Sequence, residues 1–224
     1  MKEIGLKEIA TATDASVLKL LETPNDVIAA ATIAKKHKFA TLCVKPCDLL
    51  LCVEQLVGSS VNPCTVIGFP NGNNTTSNKL QEVQRALTEG AVELDMVMNA
   101  GWFIGGRKDD VRAEIANVVY EAHLHDAKVK VILETGLWTP DQIREACQMC
   151  LEVGADWTKT GTGFLPDGKA TEEAVKLMVR VGGDKMQVKA AGGIRDKETA
   201  IKFLTLGCTR LGLSQAGVKA IFGN

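Results

Sequence analysis

Two lysines and one aspartate, each set inside a short apolar run, are the residues of this sequence best placed to do chemistry. Lys159 closes the approach in Ala155-Asp-Trp-Thr-Lys-Thr-Gly-Thr-Gly163 and runs straight into a glycine-bearing turn that can receive an anion. Lys189 repeats the arrangement in Met186-Gln-Val-Lys-Ala-Ala-Gly-Gly193, and Asp95 sits within Ala91-Val-Glu-Leu-Asp-Met-Val-Met98. A lysine amine is almost fully protonated at neutral pH, so a nucleophilic lysine needs burial or a neighbouring cation to disfavour its charged form. Lys159 is therefore the candidate nucleophile and Lys189 the neighbouring cation. A lone lysine in such a run often extends its ammonium past the rim into water. Two lysines ahead of two glycine turns, in what read as adjacent strands, argue for a shared site.

The elements that would position these residues alternate along the whole chain. A weak first strand is read over 8–13, just before Asp14. Thr23-Pro24-Asn25-Asp26 then opens a capped helix whose apolar face runs through Val27, Ala31 and Ala34 to His37. Further strands are expected over 39–44, 64–69, 92–98, 128–134, the approach to Lys159, the run to Ala190, and 209–213. Helical spacing fills the intervals, and the stretch between Asn99 and about 109 reads as a glycine-bearing loop. Three helices stop at glycines set directly before a strand, Gly90, Gly154 and Gly207, as a left-handed C-terminal cap requires.

Eight strand–helix units with no break in composition imply parallel strands and one domain, 1–224, closed as a (β/α)8 barrel. No G-x-G-x-x-G follows the first strand and no G-x-x-x-x-G-K-[ST] occurs, which weighs against an open nucleotide-binding sheet. In such a barrel the active site lies at the C-terminal ends of the strands, and phosphate is held by the loops after strands seven and eight. Gly192-Gly193 and Gly212-Leu-Ser214 fall there. Lys130 and Glu134 on the fifth strand are expected to orient the site.

With 224 residues, 46% apolar side chains, 4% aromatics and a net charge of −1, the chain has the composition of a globular protein and no basic stripe for nucleic acid. Its charged, alternating N-terminus and the lack of a long apolar segment place it in the cytosol. Seven scattered cysteines read as free thiols. Cys147-Gln-Met-Cys150 lies in a helical pattern without a second pair, and the three histidines do not complete a zinc site.

Three stretches, in order, resemble the deoxyribose-phosphate aldolase family: Glu93-Leu-Asp-Met-Val-Met-Asn99, Trp157-Thr-Lys-Thr-Gly-Thr-Gly-Phe164 and Val188-Lys-Ala-Ala-Gly-Gly-Ile-Arg195. Thr41-Leu-Cys-Val44, Val66-Ile-Gly-Phe-Pro70 and Lys130-Val-Ile-Leu-Glu-Thr-Gly136 support the resemblance, which spans nearly the whole chain. It implies a class I aldolase of (β/α)8 fold that reversibly cleaves 2-deoxy-D-ribose 5-phosphate to D-glyceraldehyde 3-phosphate and acetaldehyde, with no metal or cofactor. Lys159 matches the Schiff-base lysine, Lys189 the second lysine and Asp95 the acid/base. Gly163, Gly192, Gly193, Gly212 and Ser214 match the phosphate-holding positions, and a homodimer is implied.

The sequence departs from the family pattern at Gly161, where serine is usual, at Ala190, at Gln215 beside Ser214, and in the polar loop Asn71-Gly-Asn-Asn-Thr-Thr76. Gln215 bears on phosphate affinity. Two other readings remain open at this point: a transaldolase-like carbon transferase, and a catalytically idle barrel acting as a binding protein. Cys43, at the end of the second strand, is expected to face the lysines and to be the thiol most readily modified by aldehydes.

Overall fold

The computed structural model describes residues 4–166 and 168–223, so the first three residues of the charged N-terminal stretch lie outside it. Eight parallel strands pair in sequence order and close on themselves: β1 (Thr13–Val17), β2 (Thr41–Val44), β3 (Asn62–Ile67), β4 (Glu93–Val97), β5 (Lys128–Ile132), β6 (Trp157–Lys159), β7 (Gln187–Ala191) and β8 (Arg210–Ser214). Closure is made by β8 against β1, with Asp14 opposite Gly212. The chain is thus a (β/α)8 barrel. Among the described residues, no helix is long and apolar enough to cross a membrane.

The helices are α1 (Leu6–Thr11), α2 (Pro24–His37), α3 (Leu49–Leu56), α4 (Thr76–Thr88), α5 (Ala100–Ile104), α6 (Lys108–Leu124), α7 (Pro140–Glu152), α8 (Glu172–Gly182), α9 (Lys197–Thr205) and α10 (Gln215–Phe222). Their starts follow from side chains that satisfy otherwise unpaired backbone amides. Thr139 accepts from the Gln142 amide at 3.3 Å while Gln142 Oε1 accepts from the Thr139 amide at 2.9 Å. Asp196 likewise accepts from the Thr199 amide at 2.7 Å. Gly90, Gly154 and Gly207 have φ of 100°, 78° and 104°, the left-handed turn that the C-terminal cap requires.

Two segments differ from the sequence reading. The first strand is Thr13–Val17, because 6–11 forms a helix in which Leu6, Ile9 and Ala10 share a face and Glu8 accepts from the Gly5 amide at 3.0 Å. The glycine-bearing loop after β4 contains the short α5, started by Asn99, whose Oδ1 accepts from the Trp102 amide at 3.0 Å.

Strand side chains alternate between the barrel interior and the surrounding helices. Leu42, Val44, Leu94, Met96, Val129, Val131, Val188, Ala190, Leu211 and Leu213 point outward and join the helices in one large core. Inside, Cys43, Cys64 and Val66 form only a small apolar patch. Barrel interiors are ordinarily packed with branched aliphatic residues. Here much of that space holds charged side chains.

One ion pair outside the barrel fixes the end of β4. Lys79 on α4 donates to Glu114 Oε1 on α6 at 2.7 Å, and both side chains are 0% exposed. The same ammonium donates to the carbonyls of Gly72 at 2.7 Å and Val97 at 2.8 Å, tying down the polar loop and the last residue of β4. Burial pulls the lysine down and pushes the glutamate up, and the contact opposes both shifts. Removing one partner leaves a buried charge, so Lys79→Met should lower unfolding stability by about 3–5 kcal/mol. Lys79→Met combined with Glu114→Leu should recover most of that loss. A denaturant titration placing the single variant within about 1 kcal/mol of wild type would refute the assignment.

Candidate active site

The three residues singled out for chemistry meet inside the barrel. Lys159, the last residue of β6, donates to Asp95 Oδ2 at 2.6 Å, and Lys189 of β7 donates to the same oxygen at 2.8 Å. Two nitrogens sharing one oxygen lie within the ~4–6 Å over which one charge alters another's protonation. The strand register sets this up by placing Lys159 opposite Lys189. Lys130 of β5, opposite Asp95 in register, reaches the other oxygen, Oδ1, at 2.9 Å. Asp95 thus accepts from three lysines. Burial alone would raise its pKa, but Lys130, Lys159 and Lys189 together hold the carboxyl well below the ordinary range.

A second set of charges adjoins this one, and its Asp14 reaches the cavity wall. Asp14 of β1 forms ion pairs through Oδ2 with Lys189 at 2.6 Å and Lys130 at 3.6 Å, and through Oδ1 with Arg210 of β8 at 2.7 Å. Glu93 of β4 meets Lys130 at 2.5 Å and takes the Arg210 guanidinium in a two-pronged contact at 2.8 and 2.9 Å. Arg210 also lies over the Trp157 ring, 4.9 Å from its centroid. Burial opposes the charge on Asp14, yet Lys189, Lys130 and Arg210 keep its pKa far below the usual carboxylate value. Burial likewise opposes the charge on Lys189, and Asp14 and Asp95 overcome it.

Above the lysines a cavity of about 350 Å³ opens at the C-terminal ends of the strands. Lys159 and Lys189 line it, together with Gly163, Gly192, Gly193, Gly212 and Ser214. Asp95, 0% exposed, does not line it and lies behind the two ammonium groups. Gly192 has a φ of 98°, and a Cβ there would fall 2.3 Å from the Gly168 carbonyl oxygen. Only glycine fits. Ser214 caps α10 by accepting from the Gly217 amide at 3.4 Å, and Ser214 and Ala216 turn that helix N-terminus toward the cavity. Backbone amides and a helix N-terminus together suit a bound phosphate.

Glu134 and Lys130 do not pair with each other. Glu134 follows β5 in a left-handed conformation, φ 61°, and accepts from the Thr162 amide at 3.1 Å and the Thr162 hydroxyl at 2.7 Å. It clamps the turn after Lys159. At Gly161, just after Lys159, a Cβ would lie 2.5 Å from Glu134 Oε1 and 2.9 Å from the Gly168 carbonyl oxygen. Gln215 donates to the Ser16 carbonyl at 2.9 Å, tying α10 to β1.

Cys43 is 1% exposed but forms part of the cavity wall, whereas Cys47 is the exposed thiol. Reagents would have to reach Cys43 through the cavity. Cys147 and Cys150 are buried free thiols in α7, and burial pushes Cys147 up to about 12. Among the described residues one group of metal-ligand type lies close together, Cys43, Cys64 and Asp95, and Lys130 touches two of its members.

Asp14, Glu93 and Arg210 did not emerge from the sequence reading. Their signal was the two-residue alternation of strands: Glu93 precedes Asp95 by two, Arg210 precedes Gly212 by two, and Asp14 precedes Ser16 by two.

Comparison with known proteins agrees with this geometry. A deoxyribose-phosphate aldolase of Mannheimia succiniciproducens is 44% identical over 217 residues, covering 97% of this chain and 95% of that protein. One from Caldanaerobacter subterraneus subsp. tengcongensis is 42% identical over 221 residues, covering 98% and 95%. The solved deoxyribose phosphate aldolase of Aeropyrum pernix, described as tetrameric, superposes with a TM-score of 0.89 at 29% identity over 96% of this chain and 90% of that one. The model of the DeoC/LacD family of aldolases matches residues 9–206, and the chain belongs to that family.

Proposed function

We propose that the protein is a class I aldolase that reversibly cleaves 2-deoxy-D-ribose 5-phosphate to D-glyceraldehyde 3-phosphate and acetaldehyde through an imine on Lys159. The observation that carries this reading is the shared Asp95 oxygen, which sets Lys159 beside a second buried lysine at the floor of a cavity walled by amide-rich turns. The phosphate lies against Gly163, Gly192, Gly193, Gly212 and Ser214. That anchor holds the sugar's aldehyde carbon at Lys159. The protein works in the cytosol as a homo-oligomer.

In the cleavage direction the Lys159 amine adds to C1 of the open-chain sugar, and loss of water gives an iminium ion. A base takes the proton from the C3 hydroxyl, the C2–C3 bond breaks, and its electron pair moves into the iminium to leave an enamine. D-glyceraldehyde 3-phosphate departs. The enamine is protonated at C2, and hydrolysis frees acetaldehyde and the amine. Lys189 touches both Asp14 and Asp95 and also lines the cavity, so it passes protons between these carboxylates and the substrate. Asp95 acts through the lysines that cover it.

Acetaldehyde followed by borohydride should inactivate the protein and leave one ethyl group, on Lys159 by peptide mass spectrometry. An unmodified Lys159 under those conditions would sink the reading. Lys189→Leu should cut turnover by orders of magnitude at neutral pH, with part returning at alkaline pH where Lys159 deprotonates unaided; Lys159→Leu should show no return. Asp95→Asn should stay slow at every pH, by about 10²–10⁴-fold, because proton transfer is lost. A Lys189→Leu profile that stays low through the alkaline range would remove charge repulsion from the account. Gly192→Ala should raise KM for the phosphorylated sugar by about 10- to 100-fold through backbone strain. The unphosphorylated sugar, lacking the anchor, should be affected far less, and equal losses on both would count against the phosphate assignment.

A further inference from the structure

The ionic network around Lys159 is a stack of alternating charge in the barrel interior. Arg210, the first residue of β8 and opposite Lys189 in register, does not line the cavity and is held by Asp14 and Glu93. Asp14 and Glu93 both contact Lys130, Asp14 also contacts Lys189, both lysines contact Asp95, and Asp95 contacts Lys159; Asp14, Lys159 and Lys189 line the cavity, with Asp95 behind the two ammonium groups. We infer that Arg210 and Glu93 are positioning residues that set the protonation of Lys159 through the charge balance of this stack, without touching substrate. The inference rests on Lys159 acting as the amine nucleophile.

The charges in the stack do not balance. Four cations, Lys130, Lys159, Lys189 and Arg210, face three carboxylates, Asp14, Glu93 and Asp95, within one buried interior. A buried cation without a matching anion is costly, so one lysine of the set is favoured as the neutral amine. Arginine does not give up its proton. Lys130 contacts three carboxylates and Lys189 two, whereas Lys159 contacts one and shares the oxygen with Lys189. Lys159 is therefore the member that gives up its proton. Lys189 alone does not impose this, because Asp14 and Asp95 already offset its charge. Arg210 contributes a fixed positive charge to the count without lining the cavity.

Other ionisable groups facing the stack come from each neighbouring element. Cys43 of β2 and Cys64 of β3 contribute thiols, and burial pushes the Cys64 thiol well up, which keeps it uncharged. Lys19, Glu22 and Arg195 line the cavity mouth, and Glu134 lies after β5 against Thr162. Groups at the mouth face solvent, which screens them.

The test is the pH dependence of Lys159 trapping by acetaldehyde and borohydride, read by peptide mass spectrometry on the full chain. Arg210→Gln leaves three lysines against three carboxylates, so Lys159 should stay an ammonium to higher pH. Its trapping profile should move up by about one to two pH units, a loss of about 10- to 100-fold at neutral pH. Arg210→Lys keeps the charge and should keep the wild-type profile. Glu93→Gln removes an anion and should move the profile the opposite way, to lower pH. Arg210→Gln with Glu93→Gln restores the balance and should return the profile close to wild type.

Opposite shifts from two neighbouring substitutions are not what loosened packing produces. An Arg210→Gln profile that coincides with wild type, or a double variant no closer to wild type than Arg210→Gln, would overturn the inference. Should Arg210→Gln fail to fold by circular dichroism, Glu93→Gln decides, and a profile that stays put or moves up overturns it. Absence of a Lys159 adduct in the wild type at any pH would instead defeat the imine reading itself.

Discussion

A carboxylate buried against three lysines is the interaction on which this structure turns. Asp95 offers one oxygen to Lys159 and Lys189 and the other to Lys130. Taking an isolated carboxylate or ammonium out of water is prohibitively costly, and even paired buried ions seldom gain net stability over apolar residues of the same volume. The arrangement is therefore not there to hold the barrel together. Stability comes from the outward strand faces packed on the helices, leaving the interior free to be organised around charge.

The fold makes that arrangement rigid. Parallel pairing sets Lys159 opposite Lys189, Lys130 opposite Asp95, and Lys189 opposite Arg210, so each ion arrives on a different strand at a fixed height. No loop has to order itself to assemble the set. The loops instead shape the wall above it, where Glu134 pins the turn after Lys159 through Thr162 and Lys79 pins the end of β4 through the Val97 carbonyl. Both are buried polar groups whose bonding is satisfied by loop backbone, which makes the cavity wall as fixed as its floor.

Much of this was legible in the sequence, and the parts that were not share one cause. Helices announced themselves through the Thr23-Pro24-Asn25-Asp26 start and the glycine stops because these are local signals, read over a few residues. Lys159, Lys189 and Asp95 stood out as charges in apolar runs. Asp14 was passed over because an alternating apolar reading of 8–13 hid the helical face of Leu6, Ile9 and Ala10, which displaced β1 toward the N-terminus. Lys130 and Glu134 were both read as fifth-strand residues, but Glu134 lies beyond the strand in a left-handed turn and accepts from Thr162. Partnership across the barrel depends on which residues share a height, and that needs strand boundaries correct to a single residue. Gly161 remains a departure from the family pattern, with Glu134 Oε1 lying 2.5 Å from where its Cβ would be.

The surplus of positive charge in the interior also bears on the carbon–carbon cleavage proposed for Lys159. An iminium on Lys159 restores the fourth cation to a network with three carboxylates, in an interior where an unmatched charge is costly. Flow of the C2–C3 electron pair into that iminium gives a neutral enamine and removes the surplus. On the proposed imine reading, the unmatched charge opposes forming the iminium and favours the step that discharges it. Stabilising developing neutrality in this way is the counterpart of an oxyanion hole, with fixed charges aimed at a cation that disappears in the transition state.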